Sequence, residues 1–175
     1  LVFAFTVGAL TSPHSASAAS AAEIDRDAQK ALGDLYAKSP SAKTMGEKAI
    51  GILVFPGIVK GGFIVGGQYG EGALIKDGKT VAYYNTVAAS YGLQIGLQKF
   101  GYALFFMADS ALKWLDKSDG WEIGVGPSIV VVDAGAAASM TSTTLQSDIY
   151  AFFFDQKGLM AGIGLQGTKI TRLEK

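Results

Sequence analysis

Phe63-Ile64-Val65-Gly66-Gly67-Gln68-Tyr69-Gly70 sets the pattern of this chain: apolar residues, glycine, then another apolar residue or a glutamine. The phrase returns as Tyr91-Gly92-Leu93-Gln94-Ile95-Gly96-Leu97-Gln98 and as Trp121-Glu122-Ile123-Gly124-Val125-Gly126. It returns once more as Leu159-Met160-Ala161-Gly162-Ile163-Gly164-Leu165-Gln166-Gly167. Glycine loses more backbone freedom on folding than any other residue, so 23 glycines in 175 residues need a structural reason. Inside strands that reason is a bulge, a sharp bend, or the close approach of another backbone or a ligand. The phrase therefore predicts a curved, closely packed β-sheet.

Strand signals extend to both sides of the phrase. Residues 50–55 are an apolar run ended by Pro56-Gly57, and residues 62–67 and 71–75 are strand-like. Lys76-Asp77-Gly78-Lys79 is a hairpin signal, because Asp-Gly suits a type I′ turn. Residues 80–85, 88–99 and 102–107 continue the series, as do 121–132, 145–155 and 159–171. Residues 133–143 read as a loop or covering segment, and Asp109 as the cap of a short helix carrying Ala111, Leu112 and Leu115.

Helical signals precede the strands. Ser20-Ala21-Ala22-Glu23 is a capping box, followed by Ile24, Ala28, Ala31, Leu32 and Leu35 at helical spacing. Lys38-Ser39-Pro40 breaks that helix, and Ser41 is the expected cap of a second one through Lys48, with Ala42 and Met45 inward. The fold class that follows is α+β. N-terminal helices pack on a glycine-rich, mainly antiparallel β-sheet folded as a sandwich or barrel, with one short inserted helix.

Composition removes whole classes of function. Basic and acidic residues balance at 15 each, so no global field draws the chain to nucleic acid. There are no cysteines. Residues 1–10 are an apolar run, and Ala16-Ser17-Ala18 is an A-x-A site, the pattern of a secretory signal peptide cut near Ala18. Its basic n-region and initiator methionine are not in the sequence, so residues 1–18 read as a leader truncated at its start and 19–175 as one domain. The expectation is an exported protein, periplasmic or peripherally membrane-associated. His14, the only histidine, lies in the leader. A mature chain without histidine has no imidazole for acid–base catalysis, for a Ser-His-Asp triad or for most zinc sites. The reading is non-enzymatic, with no cofactor and no metal.

Two strings imitate phosphate loops. Gly162-Ile163-Gly164-Leu165-Gln166-Gly167 has the dinucleotide spacing, but only eight residues follow, too few for the helix and second strand such a site needs. Gly78-Lys79-Thr80 ends like a P-loop, but Ala73 stands where the first glycine belongs. Asp109 and Asp133 are the carboxylates with apolar neighbours: Asp109 has a capping role, Asp133 reads as a buried acceptor, a cation ligand or a loop-start residue, and neither reads as catalytic. Lys48 and Lys60 flank the apolar run 49–59, and Lys60 adjoins Gly61-Gly62, where an ammonium and open backbone N–H groups can meet a phosphate. Phe152-Phe153-Phe154 must alternate between the two faces of a strand.

The run Ala49-Ile50-Gly51-Ile52-Leu53-Val54-Phe55-Pro56, followed by Lys60-Gly61-Gly62-Phe63 through Glu71-Gly72, closely resembles the SYLF domain family. Ser90 to Gln98 and Gly124-Val125-Gly126-Pro127 extend the likeness. The family includes lipid-binding and actin-binding domains of endocytic proteins, and exported bacterial members. The resemblance implies a module that binds anionic phospholipids and carries no catalytic residues. In an exported chain actin and phosphoinositides are not the expected ligands, so what carries over is the fold and contact with lipid head groups. The expected contacts are Lys48, Lys60, Gly61 and Gly62 at the head group, with Ile58 at the acyl boundary. The partner is a phospholipid membrane surface. The alternatives are an envelope protein partner, or a carried apolar small molecule.

Overall fold

Ser20 opens the first helix as the capping box predicts. In a computed structural model, which describes residues 18–92, 97–132, 146–157 and 165–175, α1 spans Ala21–Lys38. The Glu23 N–H donates to Ser20 Oγ at 3.3 Å, and the Ser20 N–H donates to Glu23 Oε2 at 2.7 Å. Two N–H groups that a helix start leaves unpaired are thereby satisfied. Ile24, Ala28, Ala31, Leu32 and Leu35 form the buried stripe. The second helix, α2 (Pro40–Lys48), is capped by Ser39 rather than Ser41: Ser39 Oγ accepts from the Ala42 N–H at 3.3 Å. Pro40 takes the first helical position, where its missing N–H is no loss. The expected break is thus a one-residue joint, and Ala42 and Met45 face inward as expected.

The remaining described elements are β1 (Gly51–Lys76), β2 (Lys79–Gly92), β3 (Leu97–Phe106), α3 (Asp109–Leu112) with a 3-10 turn (Lys113–Asp116), β4 (Trp121–Glu122), β5 (Ile129–Val132), β6 (Ile149–Lys157) and β7 (Lys169–Leu173). The strands form one sheet in the order β4-β7-β2-β1-β3-β6-β5. Every pairing is antiparallel except β5 with β6. β1 doubles back on itself. Its first arm pairs with β3, its second with β2, and a Cβ built on Gly70 would lie 2.7 Å from Ile58 Cγ1. Pro56-Gly57 does not end the strand; the register shifts there, and the proline sits in the bulge, where no ladder N–H is needed. Asp77 and Gly78 both have positive φ, at 50° and 75°, as a type I′ hairpin requires.

The sheet curls into a half-barrel. Tyr102 on β3 and Thr86 on β2 flank β1, two strand spacings apart, about 10 Å in a flat sheet. Their hydroxyls are 2.7 Å apart. The Phe106 and Trp121 rings, from β3 and β4, also meet, at 6.2 Å between centroids. The inner face holds Leu53, Phe55, Ile58, Tyr84, Phe100, Tyr102, Leu104, Phe106, Trp121 and Ile170, closed at one end by Ala111 and Leu115. The outer face holds Ile52, Val54, Ala73, Ala103, Phe105, Phe152 and Phe154, covered by α1 and α2. Phe152 and Phe154 face out and Phe153 packs inward, the alternation expected of that strand. The half-barrel replaces the open choice between sandwich and barrel.

Two local expectations are corrected. Asp109 lies in the first turn of α3 and caps nothing; Ala108 holds the cap position without a side-chain bond. The strand expected over 121–132 is interrupted after Glu122, where Gly124 and Gly126 take φ of +112° and +89°. Asp133, Gly162 and Gly164 lie outside the described residues.

A Cβ at Gly72 would collide with the Val54 carbonyl oxygen and the Phe55 ring, and a backbone oxygen cannot step aside. Gly72→Ala is expected to destabilise the fold by about 1–3 kcal/mol. Gly33, inside α1 with open space around it, supplies the opposite case: Gly33→Ala should stabilise by about 0.5–1 kcal/mol. Urea denaturation of the two variants checks both signs; equal midpoints would refute the packing account.

Candidate functional site

The inner face changes character along its length. Near α3 it is apolar. Toward the bulge end the inner positions are Lys60 on β1, Gln68 on the returning arm, Thr86 on β2 and Gln98 on β3, joined by Thr168 ahead of β7. All five are buried, and they are the buried polar residues of the described part. Lys60 stands opposite Gln98 in the β1–β3 register. Gln68 Nε2 donates to Thr168 Oγ1 at 3.4 Å, and Tyr102 shares its bond with Thr86. Complete burial pushes the Tyr102 phenol far above its ordinary value, so it remains a protonated hydroxyl at any physiological pH.

This arrangement separates the residues expected at a head group. Lys48 is exposed at the end of α2. Lys60 is only 7% exposed and lies inside the half-barrel. From Gly51, beside Lys48, to Lys60 the strand runs nine steps, about 30 Å at 3.3 Å per residue, so one head group cannot touch both. Ile58 is fully buried in the inner core, and no acyl chain reaches it from a surface. Gly62 is exposed, with φ of +144°, and Gly61 is half-buried.

Four of the eight exposed large apolar side chains among the described residues lie on the outer face past the stretch that α1 and α2 cover. Leu97 is 59% exposed, Tyr69 49%, Val59 43% and Val87 43%. The register pairs Tyr69 with Val87 and sets Leu97, opposite Gly61, diagonal to Val59, while Val59 and Tyr69 share the wall of one groove; Lys99 pairs with Val59 and Lys169 with Val87. Exposed Lys99 and Lys169 therefore bracket the apolar strip. Beside it, a groove of about 450 Å³ separates α1 from β1, with Val59, Tyr69, Pro56 and Ile24 in its wall. Its carboxylates come with cations: Lys30 bonds Asp34 at 2.6 Å, Lys38 reaches Asp155 at 3.5 Å, and Lys175 pairs with Glu71 at 3.4 Å. The strip is not legible in the sequence, because which face a strand residue takes depends on the bulges before it. The alternation Val59-Lys60-Gly61 held the clue once the bulge at Pro56-Gly57 was counted.

Among the described residues no three histidine, cysteine or carboxylate side chains gather where a metal could sit. A curled, mostly antiparallel sheet under a helical layer is an α+β domain. Residues 87–175 match the family model described as Ysc84, Las17-binding protein actin regulator, and the chain belongs to this family, the SYLF family that the sequence resembles. It is a family of lipid- and actin-binding domains. The match starts inside β2, so it takes in Ser90 to Gln98 and Gly124 to Pro127 but not the Ala49–Gly72 blocks. No curated protein matches the chain.

The Tyr102–Thr86 bond ties strands that are not neighbours. Thr86→Val should cost about 1–3 kcal/mol by leaving a buried phenol unpaired, and Tyr102→Phe should cost a similar amount. The double variant should cost less than the sum of the two, since neither orphan then remains. A double-mutant cycle by urea denaturation measures this; strict additivity would show that the bond does not hold the curl.

Proposed function

We propose that this chain is a non-enzymatic lipid-binding module of the bacterial cell envelope, meeting anionic phospholipid head groups through the outer face of its sheet. The observation that carries the reading is the strip of Val59, Tyr69, Val87 and Leu97 bracketed by Lys99 and Lys169. Apolar side chains at the acyl boundary with ammonium groups at head-group level are what an anionic bilayer surface selects. The head-group role expected of Lys48 and Lys60 passes to Lys99 and Lys169. No helix among the described residues is long and apolar enough to cross a membrane. Zero formal net charge makes the attraction local and salt-sensitive. A protein partner on the same strip is the second reading, favoured by the family description, which names binding to a protein.

Co-sedimentation of the 19–175 chain with vesicles of phosphatidylcholine and phosphatidylglycerol tests the proposal. Binding is expected at low salt and loss at high salt. Lys99→Glu with Lys169→Glu should weaken it by roughly thirtyfold, at about 1 kcal/mol for each lysine near the surface. Leu97→Asp should weaken it at low salt too, whereas Lys48→Glu leaves it near wild type. No sedimentation at low salt, or an unaffected double variant, overturns the lipid reading. Capture of a defined envelope protein that Leu97→Asp abolishes would then establish the second.

A further inference from the structure

Ala19, the residue just past the A-x-A site, is held in an unusual place for a chain about to enter a helix. Its N–H donates to Glu71 Oε2 at 3.2 Å. The Glu71 side chain is only 9% exposed; it also accepts from the Tyr69 hydroxyl at 3.0 Å and pairs with Lys175. Glu23, two residues into α1, closes the capping box beside it. These groups comprise three carboxylates, Glu71, Glu23 and Asp27, against two cations, Lys175 and Arg26, the latter paired with Asp27 at 3.0 Å. Asn85, opposite Glu71 in the β1–β2 register, carries a buried Oδ1 with no hydrogen-bond partner among the described residues. The cluster is one positive charge and at least one donor short, around a backbone nitrogen that supplies a single N–H.

We infer that Glu71 is a socket for the α-ammonium group created when the leader is cut between Ala18 and Ala19, so that processing adds an ion pair that locks α1 onto the sheet. The inference rests on the exported reading. A leader peptidase supplies the cut. Water adds its oxygen to the Ala18 carbonyl carbon as the Ala18–Ala19 C–N bond breaks, and Ala19 leaves as an amine that protonates. One N–H becomes three, and the cluster becomes neutral: Glu71, Glu23 and Asp27 against Lys175, Arg26 and the new ammonium. The positive end of the α1 dipole opposes the new charge, worth about 0.3–1 kcal/mol at a surface. A nine-tenths buried carboxylate in direct contact outweighs it, because charge-assisted bonds away from water are the stronger kind.

The sign of the pH dependence follows. Glu71, Tyr69 and Lys175 face the amine from the sheet side, and Glu23 and Asp27, with Arg26 bonded to Asp27, from α1. Lys30, Asp34 and Asp155 line the groove beyond. Tyr69 is itself held above its ordinary value, by burial and then by its bond to Glu71, so it stays protonated through the relevant range. An α-amine paired with Glu71 has its folded pKa raised above the unfolded value near 8. Its stabilisation is complete below about pH 8 and is lost as the pH rises through the raised value.

The test has two arms. Intact-mass analysis of the protein recovered from its own cells reads the first residue, expected to be Ala19; a mature chain beginning elsewhere overturns the processing step. Separately, the chain beginning at Ala19 is compared with the same chain N-acetylated. The free amine should raise Tm by about 2–4 °C at pH 6, with the gap closing by pH 10. Glu71→Gln should abolish the gap at pH 6, and Lys175→Met should widen it. Equal melting of free and acetylated chains at pH 6 overturns the socket even where the cut is confirmed. So does a gap that Glu71→Gln leaves intact. The wild-type pair decides the matter if the Glu71→Gln variant does not fold.

Discussion

The inside of the half-barrel is crowded, and the backbone must make room for it. Phe55, Ile58, Tyr102, Phe106 and Trp121 all project into one concave face. Curling brings them closer than a flat sheet would, and such a face cannot also carry a side chain from every strand. Gly70 and Gly72 remove two of them where the returning arm of β1 passes Ile58 and Phe55. On the outer face Gly101 does the same for the Phe154 ring. The glycine phrase is thus a packing device: it gives up local backbone stability for ring-filled space, and burial of those aromatics offsets the loss.

The same crowding explains the register shift at Pro56-Gly57. Ile52 and Val54 face out and Leu53 and Phe55 face in. Without an extra residue, Ile58 and Lys60 would have continued on the outer face. The bulge reverses the parity, sends Ile58 and Lys60 inward and turns Val59 outward. Tertiary position, not residue type, then decides which lysine meets solvent.

This marks how far the sequence could be read. The capping box at Ser20, the hairpin at Asp77-Gly78, the α+β order and the family were legible, because each rests on local chemistry or on ordered blocks of residues. The cap of α2 went to the wrong serine because Pro40 is as good a helix starter as a breaker. The burial of Lys60 and Ile58 was not legible for a larger reason. A single uncounted bulge moves a whole strand segment to the other face, and Pro56-Gly57 reads as a stop as readily as a bulge. The exposed strip needs three strands in register before Val59, Tyr69, Val87 and Leu97 become one surface.

The placement of β7 has a kinetic meaning. β1 pairs with β2 and β3, the strands that follow it in sequence, and a tight turn at Asp77-Gly78 joins β1 to β2. β7, the last strand, inserts between β2 and β4. The inner face therefore stays open along the β2 edge until the final residues are available, and long-range closure of this kind is slow. A chain emerging from its N-terminus passes through a stage with one bare strand edge beside unburied aromatic rings. That is the aggregation-prone stage of this fold, and a holding chaperone would act on it.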